Sequence, residues 1–230
     1  MTTLAGKRVA VTGGFGALGR AVAGVLAGQG ARVALLDKAP APAALPPCEL
    51  ALGGVELSDA ASANAAFAQV AAGLGGLDGL VNVAGGFRWE LVGSGSVDTW
   101  DAMHQMNLRT ALLASQAALP HLRQSAQGRI VNVGALASQQ AAQGMGAYAA
   151  SKAGVARLTE ALAEELKDQG ITVNAVLPSI LDTPANRVDI PQADFSRWVQ
   201  PAQLAAVIAF LLQDAAAAVT GALIPVRGRV

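Results

Sequence analysis

The stretch KRVAVTGGFGALGRAVAGVLAGQG (7–30) decides the fold. Its opening, KRVAVT, is a short β-branched run of the kind that forms a strand buried on both faces. From Ala17 to Gln29 the apolar residues take helical spacing. Between the two lies TGGFGALG (12–19), whose glycines allow a tight turn and let backbone N–H groups approach an anion at the helix N-terminus. A glycine-rich turn alone is a weak signal. Placed after a strand and before a helix, it predicts a pyrophosphate cradle built from Gly13, Gly14, Phe15, Gly16, Ala17, Leu18 and Gly19.

The same alternation continues along the chain. Strands are predicted at 31–37, more weakly within 48–57, and at 79–84, 129–134, 171–177 and 221–226. Helices are predicted at 59–73, over 97–125 with a break before or near Pro120, and at 146–169 and 201–213. Seven strands with helical connections imply one α/β domain over residues 1–230, a doubly wound and mostly parallel sheet covered on both faces. The segment 182–200 interrupts the pattern. Pro184 and Pro191 break regular structure there, so it is expected to be a substrate loop, with Phe195 and Trp198 as candidate walls.

Composition excludes several classes. Net charge is zero, which leaves no electrostatic footprint for nucleic acid or an anionic membrane. The apolar run LAAVIAFLL is too short to span a bilayer, and the start of the chain runs directly into a strand pattern with no expected signal peptide. A single cysteine, Cys48, cannot form an internal disulfide and fits a reducing cytoplasm. His104 and His121 have no companions at metal-ligand spacing, so no metal site is expected.

Two features speak to chemistry. Asp37 ends the second strand 18 residues after Gly19, where a carboxylate takes the adenosine ribose hydroxyls and repels a 2′-phosphate. NAD(H) is therefore expected over NADP(H), although the neighbouring Lys38 could accommodate a phosphate. Further on, Tyr148 and Lys152 stand one helical turn apart. An ammonium beside a phenol lowers its pKa and suits it to exchange a proton with a substrate.

Together TGGFGALG, Asp37, NVAGG (82–86), Asn107 in QMNLRTA, RIVNVGA, YAASK and VNAVLPSILDTP resemble the short-chain dehydrogenase/reductase family over nearly the whole chain. The resemblance implies Tyr148 as general acid/base, Lys152 as its partner and a ligand of the nicotinamide ribose, and Asn107 as support for a water relay. It further implies that Asn82, Ala84, Gly85 and Gly86 line the adenosine side, and that Pro178, Ser179 and Thr183 border the nicotinamide. Asn107 could instead stabilise a helix, and Thr183 could merely open the loop before Pro184. Homodimers or homotetramers are common in the family.

Three positions depart from the family pattern: Ala17 and Ser179 replace glycines, and Ala135 stands where a substrate-polarising serine is usual. GGFGALG, VAGGF, Ala135 and LPSILDTPANRVDIPQADFSRW resemble the dihydropteridine reductase branch, which implies an NADH-dependent reductase of a pterin-like or other conjugated small molecule. Two alternatives stay open. One is a conventional ketone/alcohol oxidoreductase with its donor relocated to Ser138, Gln139, Gln140 or Gln143; the other is an inactive nucleotide-binding scaffold.

Overall fold

A computed structural model describes residues 3–230. Strands β1 (Arg8–Thr12), β2 (Arg32–Leu36), β3 (Leu50–Leu52), β4 (Gly79–Asn82), β5 (Arg129–Val133), β6 (Thr172–Pro178) and β7 (Leu223–Val226) form one sheet in the order β3-β2-β1-β4-β5-β6-β7. Every pairing is parallel. Helices α1 (Ala17–Gly28) and α7 (Pro201–Leu212) cover one face, where Val9, Val11, Val22, Leu26 and Ile208 pack. The other face carries α2 (Ala60–Leu74), α4 (Thr110–Leu122) and α5 (Gly146–Leu166), with Phe67, Leu80, Ile130 and Leu166 in its core. Burial on both faces is why the strands read as continuous apolar runs rather than alternating ones. The order reverses between β1 and β4, and a crevice opens at the carboxyl ends of strands flanking such a switch.

Local chemistry fixes the ends of these elements. The Asp59 carboxylate accepts from the Ser62 N–H at 2.7 Å and starts α2, which Gly75 ends in the left-handed region. β4 ends two residues earlier than predicted because the Thr12 hydroxyl takes the Val83 and Ala84 N–H groups at 3.1 and 3.2 Å. They are thereby withdrawn from the sheet. β7 begins at Leu223 rather than residue 221, since Gly221 has φ +70° and the Ala222 N–H is held by the Asn174 side chain.

The predicted break near Pro120 lies elsewhere. Pro120 sits in the last turn of α4, where a missing N–H forfeits one helical bond and the helix runs on to Leu122. The interruption comes earlier: α3 (Val97–Met103) passes into a wide π-type stretch, His104–Arg109, before α4 begins. The segment 182–200 is also more ordered than predicted. Pro184 is the first residue of a short helix, α6 (Pro184–Asp189), capped by the Thr183 hydroxyl. Asp182 pairs with Arg187, whose guanidinium lies 4.7 Å over Phe195, and Trp198 is buried. Trp198 is therefore core.

A chain of polar side chains crosses the buried side of the sheet. Asn82 donates to Asn132 at 2.9 Å and to Ser115 at 3.1 Å, and Asn132 donates to Thr159 at 2.9 Å. Replacing Asn132 by alanine removes two buried hydrogen bonds and leaves a cavity, so Asn132→Ala is expected to cost about 2–4 kcal/mol, read as a lower urea midpoint. An unchanged midpoint would show that these bonds do not hold β4, β5 and α5 together.

Candidate active site

The switch-point crevice is the mouth of a cleft of about 1960 Å³. A single small-ligand pocket is typically ~300–1,000 Å³, so the cleft has room for a dinucleotide and a second molecule. The glycine turn forms one end. Gly13 has φ +61°, and a Cβ there would lie 2.8 Å from the Ala84 nitrogen; a Cβ on Gly19 would run into the Gly13 carbonyl. Ala17 fits without strain as the first residue of α1, whose N-terminus faces the cleft with Gly16. Helix dipole and N-terminal N–H groups suit this end of the cleft to an anion such as a pyrophosphate.

Asp37 is fixed where the sequence places it. Its carboxylate accepts from the Phe15 N–H and from the Ala39 N–H, each at 3.0 Å. Lys38 lines the cleft beside it, its ammonium in a 2.9 Å ion pair with Glu56. The Ser58 hydroxyl and then the Lys38 ammonium hold the Glu56 carboxyl down to about 2.

At the other end of the cleft, α5 carries Tyr148 and Lys152 one turn apart. Lys152 is 5% exposed and donates to the Val133 carbonyl at the end of β5, at 2.8 Å. Burial pushes its ammonium down to about 8 and pushes the Tyr148 phenol up to about 12. The expected lowering of the phenol by the lysine is thus reversed, because desolvation disfavours both charged forms. Tyr148 is thereby held in its protonated form.

Asn107 lies in the π-type stretch and is 1% exposed. Its side chain accepts from the Gly86 N–H at 2.9 Å, donates to the Gly86 carbonyl at 3.1 Å and donates to the Ser151 hydroxyl at 3.0 Å. Ser151 in turn donates to the Tyr148 carbonyl at 2.7 Å. Asn107 therefore clamps the loop after β4 to α5, and it does not line the cleft.

Gly13, Gly16, Ala17, Leu18, Gly19, Asp37, Ala84, Gly85, Gly86, Pro178, Ser179 and Thr183 all line it. Gly14 and Phe15 do not: Gly14 packs against Leu35, and Phe15 contributes its N–H to Asp37. Asn82 does not line it either, since its side chain is committed to Asn132 and Ser115 inside the core. Thr183 both lines the cleft and caps α6. Ser179 donates to the Arg227 carbonyl at 2.6 Å, a tie to the chain after β7 that glycine cannot make.

Ala135 faces the cleft, and Ser138 does not supply the missing hydroxyl there. The Ser138 Oγ is buried without a partner and lies outside the cleft lining, whereas Gln139 and Gln140 are part of it. Phe195 and Trp198 are absent from its walls; Phe87, Trp89, Met106, Met145 and Ile190 stand there instead. In a chain with few aromatics, the sequence signal for the two rings is that Phe87 directly follows Gly85 and Gly86, with Trp89 two residues further on.

A glycine turn, a carboxylate at the end of β2 and a Tyr/Lys pair share one cleft, an arrangement that suits a nicotinamide-dinucleotide oxidoreductase. The chain belongs to the short chain dehydrogenases, whose family model matches residues 7–193. A 2-(S)-hydroxypropyl-CoM dehydrogenase of Xanthobacter autotrophicus is 32% identical over 241 residues, covering 96% of this chain and 94% of its own length. Among solved structures, carveol dehydrogenase from Mycobacterium avium in complex with NAD superposes with a TM-score of 0.87 at 25% identity, over 98% of each chain. A short chain dehydrogenase from Burkholderia cenocepacia in complex with NADP gives a TM-score of 0.87 at 33% identity, also over 98% of each.

Burial of Lys152 has a measurable sign. Below pH 8 the folded protein holds a desolvated ammonium, a penalty relieved between about pH 8 and the ordinary lysine value of 10.5. That displacement corresponds to about 3 kcal/mol, less about 1 for the Val133 hydrogen bond. In the absence of nucleotide, Lys152→Met is expected to stabilise the fold by about 2 kcal/mol at pH 7, and the gain should vanish by about pH 10.5. Chemical denaturation at both pH values checks this, and a gain independent of pH would refute it.

Proposed function

We propose that the protein is an NADH-dependent reductase of a pterin-like or other conjugated, pre-activated acceptor, with Tyr148 as general acid. The observation that carries this is Ala135: it faces the cleft where a carbonyl-polarising hydroxyl would be needed, and Ser138 is turned elsewhere. Losing such a donor typically costs about 10²–10³ in rate, a loss that an electron-poor conjugated ring does not feel. The resemblance of VAGGF and of the 182–200 segment to the dihydropteridine reductase branch supports the same reading.

Bound NADH would supply hydride. The residues suited to hold it are the glycine turn for the pyrophosphate, Asp37 for the adenosine ribose, Lys152 for the nicotinamide ribose, and Pro178, Ser179 and Thr183 beside the nicotinamide. Tyr148, kept protonated by burial, gives its proton to the substrate heteroatom that gains electron density. Asn107 and Ser151 fix the backbone around it. The preference for NADH rests on the preset Asp37 carboxylate and on the pairing of Lys38 with Glu56. The protein is taken to work in the cytoplasm as a homodimer or homotetramer that pairs its long alanine-rich helices.

A second reading is a conventional ketone or alcohol oxidoreductase with Gln139 or Gln140 as donor; the names of the hydroxypropyl-CoM and carveol dehydrogenases favour it. NADH oxidation measured with quinonoid dihydropterin beside a panel of small ketones separates the two. Turnover of the pterin is expected, with Tyr148→Phe lowering it by about 10²–10⁴. Turnover confined to ketones would establish the second reading. Ala135→Ser is expected to raise ketone turnover by at least about tenfold while leaving the conjugated substrate unchanged. Asp37→Ala should raise the KM for NADH by about tenfold or more, without the same loss for NADPH.

A further inference from the structure

Aromatic side chains are scarce in this chain: five phenylalanines, three tryptophans and one tyrosine in 230 residues. Phe87, Trp89 and Tyr148 nevertheless line the same cleft. The rings of Phe87 and Tyr148 meet edge to face, with centroids 5.0 Å apart and planes at 87°. Phe87 is 50% exposed and Trp89 58%, so both present apolar ring surface to the cleft rather than to the core. Exposed aromatic surface gathered beside a reactive group marks a binding surface.

The wall is built rather than incidental. Trp89 lies against Gly144, which has φ +73° and where a Cβ would occupy the space of the indole. Next to it the Glu90 N–H donates to the Gly144 carbonyl at 2.8 Å, and the Glu90 carboxylate accepts from the Ser96 N–H at 3.1 Å. The loop carrying both rings is thus stitched to the loop that leads into Tyr148. Met106 and Met145 add polarizable thioethers to the same cleft.

We propose that Phe87 positions the Tyr148 phenol by keeping water from it, and that Phe87 with Trp89 forms the specificity-determining wall that receives a flat conjugated ring. The proposal deepens the reading of Tyr148 as general acid and rests on it for the substrate. Aliphatic carbonyl compounds gain little from such a wall, whereas a planar ring gains stacking over its whole face.

The single tyrosine makes the first half testable without turnover. Phenolate absorbance of the protein without added nucleotide or substrate reports Tyr148 alone, with circular dichroism at each pH confirming the fold. Phe87→Ala is expected to move the phenol midpoint down by about one pH unit or more, while Phe87→Leu, which retains apolar cover, stays near the wild type. An unchanged midpoint in a folded Phe87→Ala protein would overturn the positioning role. For the second half, kcat/KM is compared between quinonoid dihydropterin and cyclohexanone. Phe87→Ala and Trp89→Leu are expected to lower the ratio of the two about tenfold, and an unchanged ratio would overturn the assignment of the wall. Absence of turnover with both compounds in the wild type would overturn the substrate half together with the proposed function. The phenol titration would still decide the role of Phe87.

Discussion

The Tyr148 end of the cleft depends on one close approach, that of the chain leaving β4 to the π-type stretch and α5. Gly85 and Gly86 make it possible: a Cβ on Gly85 would lie 2.5 Å from the Asn107 Oδ1, and one on Gly86 would meet the Met106 sulfur. In the space so freed, Asn107 grips both backbone groups of Gly86 and passes a third bond through Ser151 to the turn that carries Tyr148. Three segments far apart in sequence are thereby locked into one unit. The widened helical turn at 104–109 places Asn107 for all three bonds.

Within that unit, desolvation outweighs charge. Lysine and tyrosine at helical spacing suggest an ion pair in which the phenol is easily ionised. Burial shifts both groups toward their neutral forms, and the lysine is turned to the Val133 carbonyl. A protonated phenol is the form a reductase needs. The same pair in the direction of oxidation would first have to lose a proton that this surrounding holds tightly.

The layout of the fold was legible in the sequence because parallel strands buried on both faces write themselves as unbroken apolar runs, and the glycine turn fixed where the first βαβ unit began. Asp37, Tyr148 and Lys152 were legible for a similar reason, each lying a set distance from a recognisable element. What escaped depended on contacts remote in sequence. Asn82 looked like part of a nucleotide motif, yet its side chain is taken by Ser115 and Asn132 from the opposite side. Pro120 signalled a break that the end of a helix tolerates, and Trp198 signalled a wall where the core needed volume. Phe87 and Trp89 carry no periodic signature, since their place is set by stitching between two loops.

Thr12 has a wider role than ending a strand. By holding two amides of the neighbouring chain on a single hydroxyl, it acts as a spacer that sets the gauge of the crevice between the halves of the sheet. The width of the nucleotide slot is therefore written into the folded chain itself. Binding has no need to pry the strands apart, and the entropy of aligning that backbone is settled during folding rather than on each catalytic cycle.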